Sequence, residues 1–189
     1  MLGPEEKNYA FEIARRSLAE YVNSGDTSTP NRDEIIERFG EGSELLKERG
    51  CFVTLTSKAT GELRGCIGSV VGHRALYLDI ASNAVNAGVN DPRFPELSVG
   101  ELGEIDYELS VIGPLTPVSD PSTIIVGKHG LVMKRGGNLG LLLPQVPVEW
   151  GWDLENFLAH TCQKAGLTTD AWQDPETEIL SFTADVYHL

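Results

Sequence analysis

Apolar and polar positions change period several times along this chain, and each period marks a different element. Over residues 4–22, Ala10, Ile13, Ala14, Ser17, Leu18 and Tyr21 recur every three or four residues, with Glu12, Arg15 and Arg16 opposite. That spacing predicts an amphipathic first helix. Residues 23–31 are polar, contain Gly25 and Pro30, and read as a loop. Short helical turns are predicted within 33–39 and 43–49. Strict alternation then sets in: Cys51, Val53 and Leu55 share one face and Phe52, Thr54 and Thr56 the other. A glycine-containing turn leads into 63–70, so the two runs predict a hairpin.

The helical period returns over 74–90, where Ala81, Ala84 and Gly88 form a small-residue stripe suited to close packing. Asp91-Pro92 should end that helix, because the residue before a proline avoids the helical region. Residues 105–111 alternate as a strand with one buried face. After a connector containing Pro114, Pro117 and Pro121, runs at 131–135 and 139–143 flank Gly136-Gly137-Asn138 and predict a second hairpin. Asp153 is placed to cap a helix carrying Leu154, Phe157, Leu158, Thr161 and Ala165, and Gly166 to end it. Leu180, Phe182, Ala184 and Val186 alternate as one last strand. Hairpins with helices inserted between them argue for an α+β fold, with a mostly antiparallel sheet and flanking helices.

The 189 residues suffice for one core, or for one domain carrying a smaller lobe. Fifteen basic residues against 28 acidic ones give a formal charge of −13. Such a field repels phosphate backbones and anionic lipid, which disfavours nucleic acid and membrane surfaces as partners. The start of the chain lacks a basic and apolar leader and no window approaches a membrane span, so the chain reads as cytoplasmic. Cys51, Cys66 and Cys162 are unpaired in spacing, as a reducing compartment allows. With no CxxC and four scattered histidines, the sequence makes no case for a metal and names no cofactor.

Candidate chemistry centres on Leu63-Arg64-Gly65-Cys66-Ile67-Gly68. Side chains two apart on a strand share a face, so Arg64 and Cys66 should point the same way, and a cation near a thiol favours the thiolate. Gly65 and Gly68 leave that face bare, or mark a bulge or a close backbone approach. Cys51 and Cys162 lie on apolar faces and read as core. His129, at the mouth of the second hairpin, suits an acid, base or ligand, or else a loop histidine bonded to backbone. Asp91 and Arg93 flank a proline as either a helix stop with an ion pair or a substrate contact. Gln145 and Glu149 precede Trp150 and Trp152, where the choice is between a solvated loop and a pocket rim. His160 falls about 130° from the apolar stripe of its helix and should be exposed.

Taken together, 63–68, Asp91-Pro92-Arg93-Phe94, Glu108-Leu109-Ser110-Val111, His129-Gly130-Leu131, Leu141-Leu142-Leu143-Pro144-Gln145-Val146 and the run from Phe157 to Leu167 resemble the AMMECR domain family. The likeness spans residues 8–187 as a single domain and leaves 1–7 as an N-terminal tail. It implies a larger and a smaller lobe with a cleft between them, and no settled activity. Prokaryotic members often accompany a Memo-like protein and a radical S-adenosylmethionine enzyme, which the resemblance therefore implies as partners; the chain itself reads as a stand-alone domain. Ser69-Val70-Val71 departs from the family's more usual Thr-Phe after the motif.

Two functional readings follow. In the first, the chain is a component that binds a small-molecule ligand or a partner enzyme, with Cys66 in the functional cleft and Gly65, Gly68, Asp91, Arg93, Gln145 and Glu149 as binding residues. In the second, it is a cysteine-dependent enzyme or covalent carrier with Cys66 as nucleophile, Arg64 lowering its pKa or holding an anionic group, and His129 assisting.

Overall fold

In a computed structural model that describes residues 1–27 and 30–189, the chain is α+β and divides into two compact units. The first comprises Met1–Ile112 and Asp185–Leu189, the second Gly113–Ala184. Ser28 and Thr29, within the loop expected over 23–31, lie outside the described residues.

The first unit opens with α1 (Pro4–Ser24), begun by a proline whose missing N–H is no loss in the first turn and closed by Gly25. Its buried stripe of Tyr9, Ala10, Ile13, Ala14, Ser17 and Leu18 matches the periodicity, and the helix runs two residues further than the pattern suggested. Residues 1–7 are not a free tail. Leu2 is buried and its N–H donates to the Tyr187 hydroxyl at 2.9 Å, while the Glu6 carboxylate accepts from the Ser43 hydroxyl at 2.6 Å. A short α2 (Arg32–Phe39) is capped by the Asn31 side chain, and a single 3-10 turn follows at Glu44–Leu46.

Strands β1 (Cys51–Ser57) and β2 (Leu63–Ser69) form the expected antiparallel hairpin, and α3 (Leu76–Val89) follows. Strand β3 (Ile105–Ile112) pairs antiparallel with β1 on its other side, and the sheet order is β2-β1-β3-β8, with β8 at Ala184–His188. Val53, Leu55, Leu109, Ile80, Ala84, Phe11 and Leu18 are buried in one apolar cluster between this sheet and α1 and α3. Fully burying each large side chain contributes about 1.5–3 kcal/mol. The small residues of α3 have the purpose the pattern implied: a Cβ on Gly88 would meet Leu18 Cδ1 of α1 at 2.5 Å.

The second unit holds β4 (Thr116–Pro117), β5 (Gly130–Arg135), β6 (Asn138–Leu142), α4 (Gln145–Glu149), α5 (Leu154–Lys164) and β7 (Glu178–Phe182). Its sheet order is β4-β7-β5-β6, and β4 with β7, β7 with β5 and β5 with β6 pair antiparallel. Arg135 pairs with Asn138 across the tight Gly136-Gly137 turn. Asp153 caps α5 by accepting from the Asn156 N–H, and Phe157, Leu158 and Cys162 pack with Leu131, Met133 and Ile179. The short α4 falls where the sequence offered a loop or rim. The single last strand expected over 180–186 is two strands, β7 and β8, broken at Thr183 and belonging to different sheets. Alternation of period two continues through the break, so the pattern alone does not show it.

Candidate functional site

Cys66 sits on β2, the edge strand of the first sheet, directly opposite Thr54. An edge residue whose N–H and C=O point outward leaves both groups to be satisfied by something other than a strand. Here the loop after α3 supplies them. The Cys66 N–H donates to Asp91 Oδ2 at 2.9 Å, and Arg93 Nη2 donates to the Cys66 carbonyl at 3.4 Å. Asp91 and Arg93 thus stand in at this point for a neighbouring strand. Pro92 fixes the turn between them.

Asp91 is only 4% exposed, and a buried carboxylate needs partners. Arg93 grips it as a fork, Nε to Oδ1 at 2.9 Å and Nη2 to Oδ2 at 2.7 Å, and the Arg93 N–H adds a bond to Oδ1 at 3.1 Å. The guanidinium foremost, then the Cys66 and Arg93 N–H groups, hold the Asp91 carboxyl well below the usual carboxylate range against the opposing effect of burial. Asp91 thus makes the ion pair that the sequence offered, just past Asn90, which caps α3, and it also fixes the backbone of the motif cysteine.

The Cys66 sulfur accepts a hydrogen bond from the Thr54 hydroxyl at 3.3 Å. In register, Thr54 is also opposite Glu108 on β3, whose carboxylate lies 3.4 Å from His188 Nδ1. A thiol, a hydroxyl, a carboxylate and an imidazole therefore follow one another across the strands of the first sheet. Thr54, Glu108 and His188 were missed as site residues. Alternation does put Thr54 and Glu108 on polar faces, but only register lines them up with Cys66.

Arg64 departs from expectation. Leu55 pairs with Gly65 and Thr56 with Leu63, so Arg64 is the extra residue of a β-bulge. The bulge breaks the alternation on which a face shared with Cys66 depended. Arg64 Nε instead donates to Glu101 Oε1 at 2.9 Å, and its enclosed Nη1 has no hydrogen-bond partner among the described residues. That ion pair first, with the Ser98 N–H, brings the Glu101 carboxyl down to about 2. Among the described residues, Arg93 is the cation that hydrogen-bonds to Cys66, at its backbone carbonyl.

The motif glycines answer to backbone crowding within the fold. A Cβ on Gly65 would lie 2.0 Å from the Ala87 carbonyl oxygen of α3, and one on Gly68 would lie 2.2 Å from the Cys51 carbonyl oxygen and 2.5 Å from Phe52 Cγ. Gly65 is buried and Gly68 half-buried. The other cysteines are core residues, as their apolar faces implied. Cys51 is 1% exposed and burial pushes its thiol up to about 12; Cys162 is 0% exposed and burial raises its pKa also.

Arg64, Gly65, Cys66, Gly68, Asp91 and Arg93 belong to the first unit, and His129, Gln145 and Glu149 to the second. Within the second, half-buried His129 accepts the Ile125 N–H on Nδ1 at 3.1 Å, which leaves its ring proton on Nε2. Gln145 and Glu149 are exposed at the two ends of α4. Next to them the indoles of Trp150 and Trp152 stack with centroids 6.1 Å apart, and Trp152 stacks on His160 at 3.9 Å and 14°. His160 is half-buried by this contact instead of standing free. Among the described residues no group of three or more His, Cys, Asp or Glu is arranged to hold a metal ion, and no helix is long and apolar enough to cross a membrane.

The AMMECR1 family model matches residues 11–187. The chain belongs to the AMMECR1 family. It is 41% identical over 187 residues to a protein of Thermococcus gammatolerans, covering 95% of this chain and 88% of that one. A protein of Methanothermobacter thermautotrophicus is 40% identical over 193 residues, covering 99% and 96%. Among solved structures, the uncharacterized protein PH0010 from Pyrococcus horikoshii matches this AMMECR1-family fold with a TM-score of 0.83 at 38% identity, over 98% of this chain and 92% of that one.

Proposed function

We propose that this AMMECR1-family chain is a binding component, which presents Cys66 and the groups around it to a small-molecule ligand or to a loop of a partner protein. The observation that carries this reading is the set of partners held by Cys66. Asp91, the carboxylate nearest its backbone, already accepts from Arg93 and from the Cys66 N–H, and its lowered pKa unsuits it to take a proton at neutral pH. Thr54 donates to the sulfur, so it stabilises negative charge there without removing a proton. The cysteine is held in place by these groups, and none of them activates it as a base would. In this reading Arg64 within the first unit, and His129, Gln145 and Glu149 within the second, are further functional residues, because they lie in the segments that carry the family resemblance. The partners are a Memo-like protein and a radical S-adenosylmethionine enzyme, which perform the redox chemistry, and the setting is the cytoplasm, in keeping with three free thiols.

A cysteine-dependent enzyme or covalent carrier is the second reading. What favours it is that the Thr54 hydroxyl donates to the Cys66 sulfur and the Arg93 guanidinium reaches the carbonyl of the same residue. Calorimetric titration of the chain with each proposed partner, and with fractionated metabolites, separates the two. Binding that Cys66→Ser or Arg93→Ala weakens, without turnover, supports the component; turnover by the isolated chain that Cys66→Ser abolishes supports the enzyme. Binding indifferent to both substitutions overturns both readings.

A further inference from the structure

Within the second unit, the segment joining α4 to α5 carries an aromatic surface that the proposal above leaves unused. Trp150, the residue after α4, is 69% exposed, and its neighbour Val148 is 61% exposed. A large indole held in water forgoes the stabilisation that burial of its rings would give. It is not loose. Its backbone N–H donates to the Val146 carbonyl at 3.2 Å, the Trp152 N–H donates to the Pro147 carbonyl at 2.8 Å, and the rings stack in the order Trp150, Trp152, His160. The far end is fixed in turn, since His160 Nδ1 lies 2.9 Å from Gln163 Oε1. Three planar rings are thus ordered one behind another, with the outermost indole bare.

The surroundings state what this platform would accept. Glu149, Asp153 and Glu155, all exposed, lie within five residues of Trp150, in a chain of formal charge −13. An indole face carries partial negative charge and attracts a cation, most strongly a guanidinium that lies flat on the ring while neighbouring carboxylates take its N–H groups. Phosphorylated or otherwise anionic ligands meet repulsion at the same place.

We propose that Trp150, backed by Trp152 and His160 and flanked by Glu149, Asp153 and Glu155, is a docking site for an arginine side chain on a basic segment of a partner protein. The site shares Glu149 with the reading given to Cys66, but its test reads Trp150, which that reading does not use.

The test uses the whole chain and a blocked hexapeptide containing two arginines, with a matched peptide carrying citrulline in their place. Tryptophan fluorescence is the readout, since two of the three tryptophans lie in the platform. The arginine peptide should bind and change the emission, and the citrulline peptide should bind at least about fivefold more weakly. Trp150→Ala, at so exposed a position, should leave the melting temperature unchanged and weaken arginine-peptide binding about fivefold, read for the variant by calorimetry. Equal binding of the two peptides overturns the proposal. So does salt-sensitive binding that Trp150→Ala leaves intact, which would mark attraction to the acidic chain in general. Binding of neutral oligosaccharides in preference to the arginine peptide would assign the platform to carbohydrate and overturn it also.

Discussion

Asp91 accepts the backbone N–H of Cys66 at 2.9 Å across 25 residues of sequence, and so ties the loop after α3 to the edge strand at its cysteine. The same carboxylate holds the Nε and Nη2 groups of Arg93. Replacing it leaves an edge N–H and a guanidinium without their acceptor. Asp91→Ala should therefore destabilise the chain by about 2–4 kcal/mol, read as a lowered denaturant midpoint at constant slope. Asp91→Asn, which still accepts one hydrogen bond, should lose less. If the alanine variant unfolds at the wild-type midpoint, the clamp contributes nothing to stability.

Gly65→Ala should be more damaging than its one added methyl suggests. The new carbon would sit 2.0 Å from the Ala87 carbonyl oxygen, and backbone cannot swing aside as a side chain can. Overpacking of this kind costs about 1–3 kcal/mol or more. The comparison is Gly137→Ala, at the tip of the second hairpin, where a Cβ meets nothing within 4 Å. Thermal melts of the two should differ clearly; equal melting temperatures would mean that α3 shifts without penalty.

Acid should weaken the chain partly through Glu101. Its carboxyl titrates near 2 in the fold, against 4.5 ordinarily, because Arg64 pairs with it. A carboxyl with a lowered folded pKa adds stability above its ordinary value and loses it as pH falls toward the folded one. Urea midpoints measured from pH 6 to pH 2 should fall most steeply below about 4.5. Glu101→Gln should start lower at pH 6 and show a shallower decline. A decline as steep as wild type would remove this pair from the acid response; Asp91, whose carboxyl is also lowered, acts in the same direction.

Alkylation should find Cys66 first. Cys51 and Cys162 are 1% and 0% exposed, so they react only when the fold opens. Peptide mapping after a short exposure to iodoacetamide should show Cys66 modified and the others intact. Arg93→Ala should slow that reaction and Arg64→Ala should not, because Arg93 hydrogen-bonds to the Cys66 carbonyl whereas Arg64 is paired with Glu101. Slowing by Arg64→Ala instead would restore the reading in which those two side chains act together.

Periodicity located α1, α3, α5 and both hairpins because each has one face in a core, and burial is what writes a period into a sequence. It missed the division of the last strand because β7 and β8 keep the same alternation on either side of Thr183. At the site, the motif drew attention to Cys66, Asp91 and Arg93, which do meet. Their mutual role was hidden, since a carboxylate that caps an edge strand looks the same in sequence as one that caps a helix. Arg64 misled for a related reason: a bulge is one unpaired residue, and only pairing reveals it. Thr54, Glu108 and His188 come into line through register alone.

The first sheet takes its fourth strand from residues that follow the whole of the second unit. On a ribosome, the 112 residues that hold nearly all of the first unit emerge with the outer edge of β3 still unpaired, and must wait while some seventy more are made. During that wait β3 is open to wrong partners. A fragment cut after Ile112 is caught in the same state permanently, so the first unit cannot be obtained intact by simple truncation.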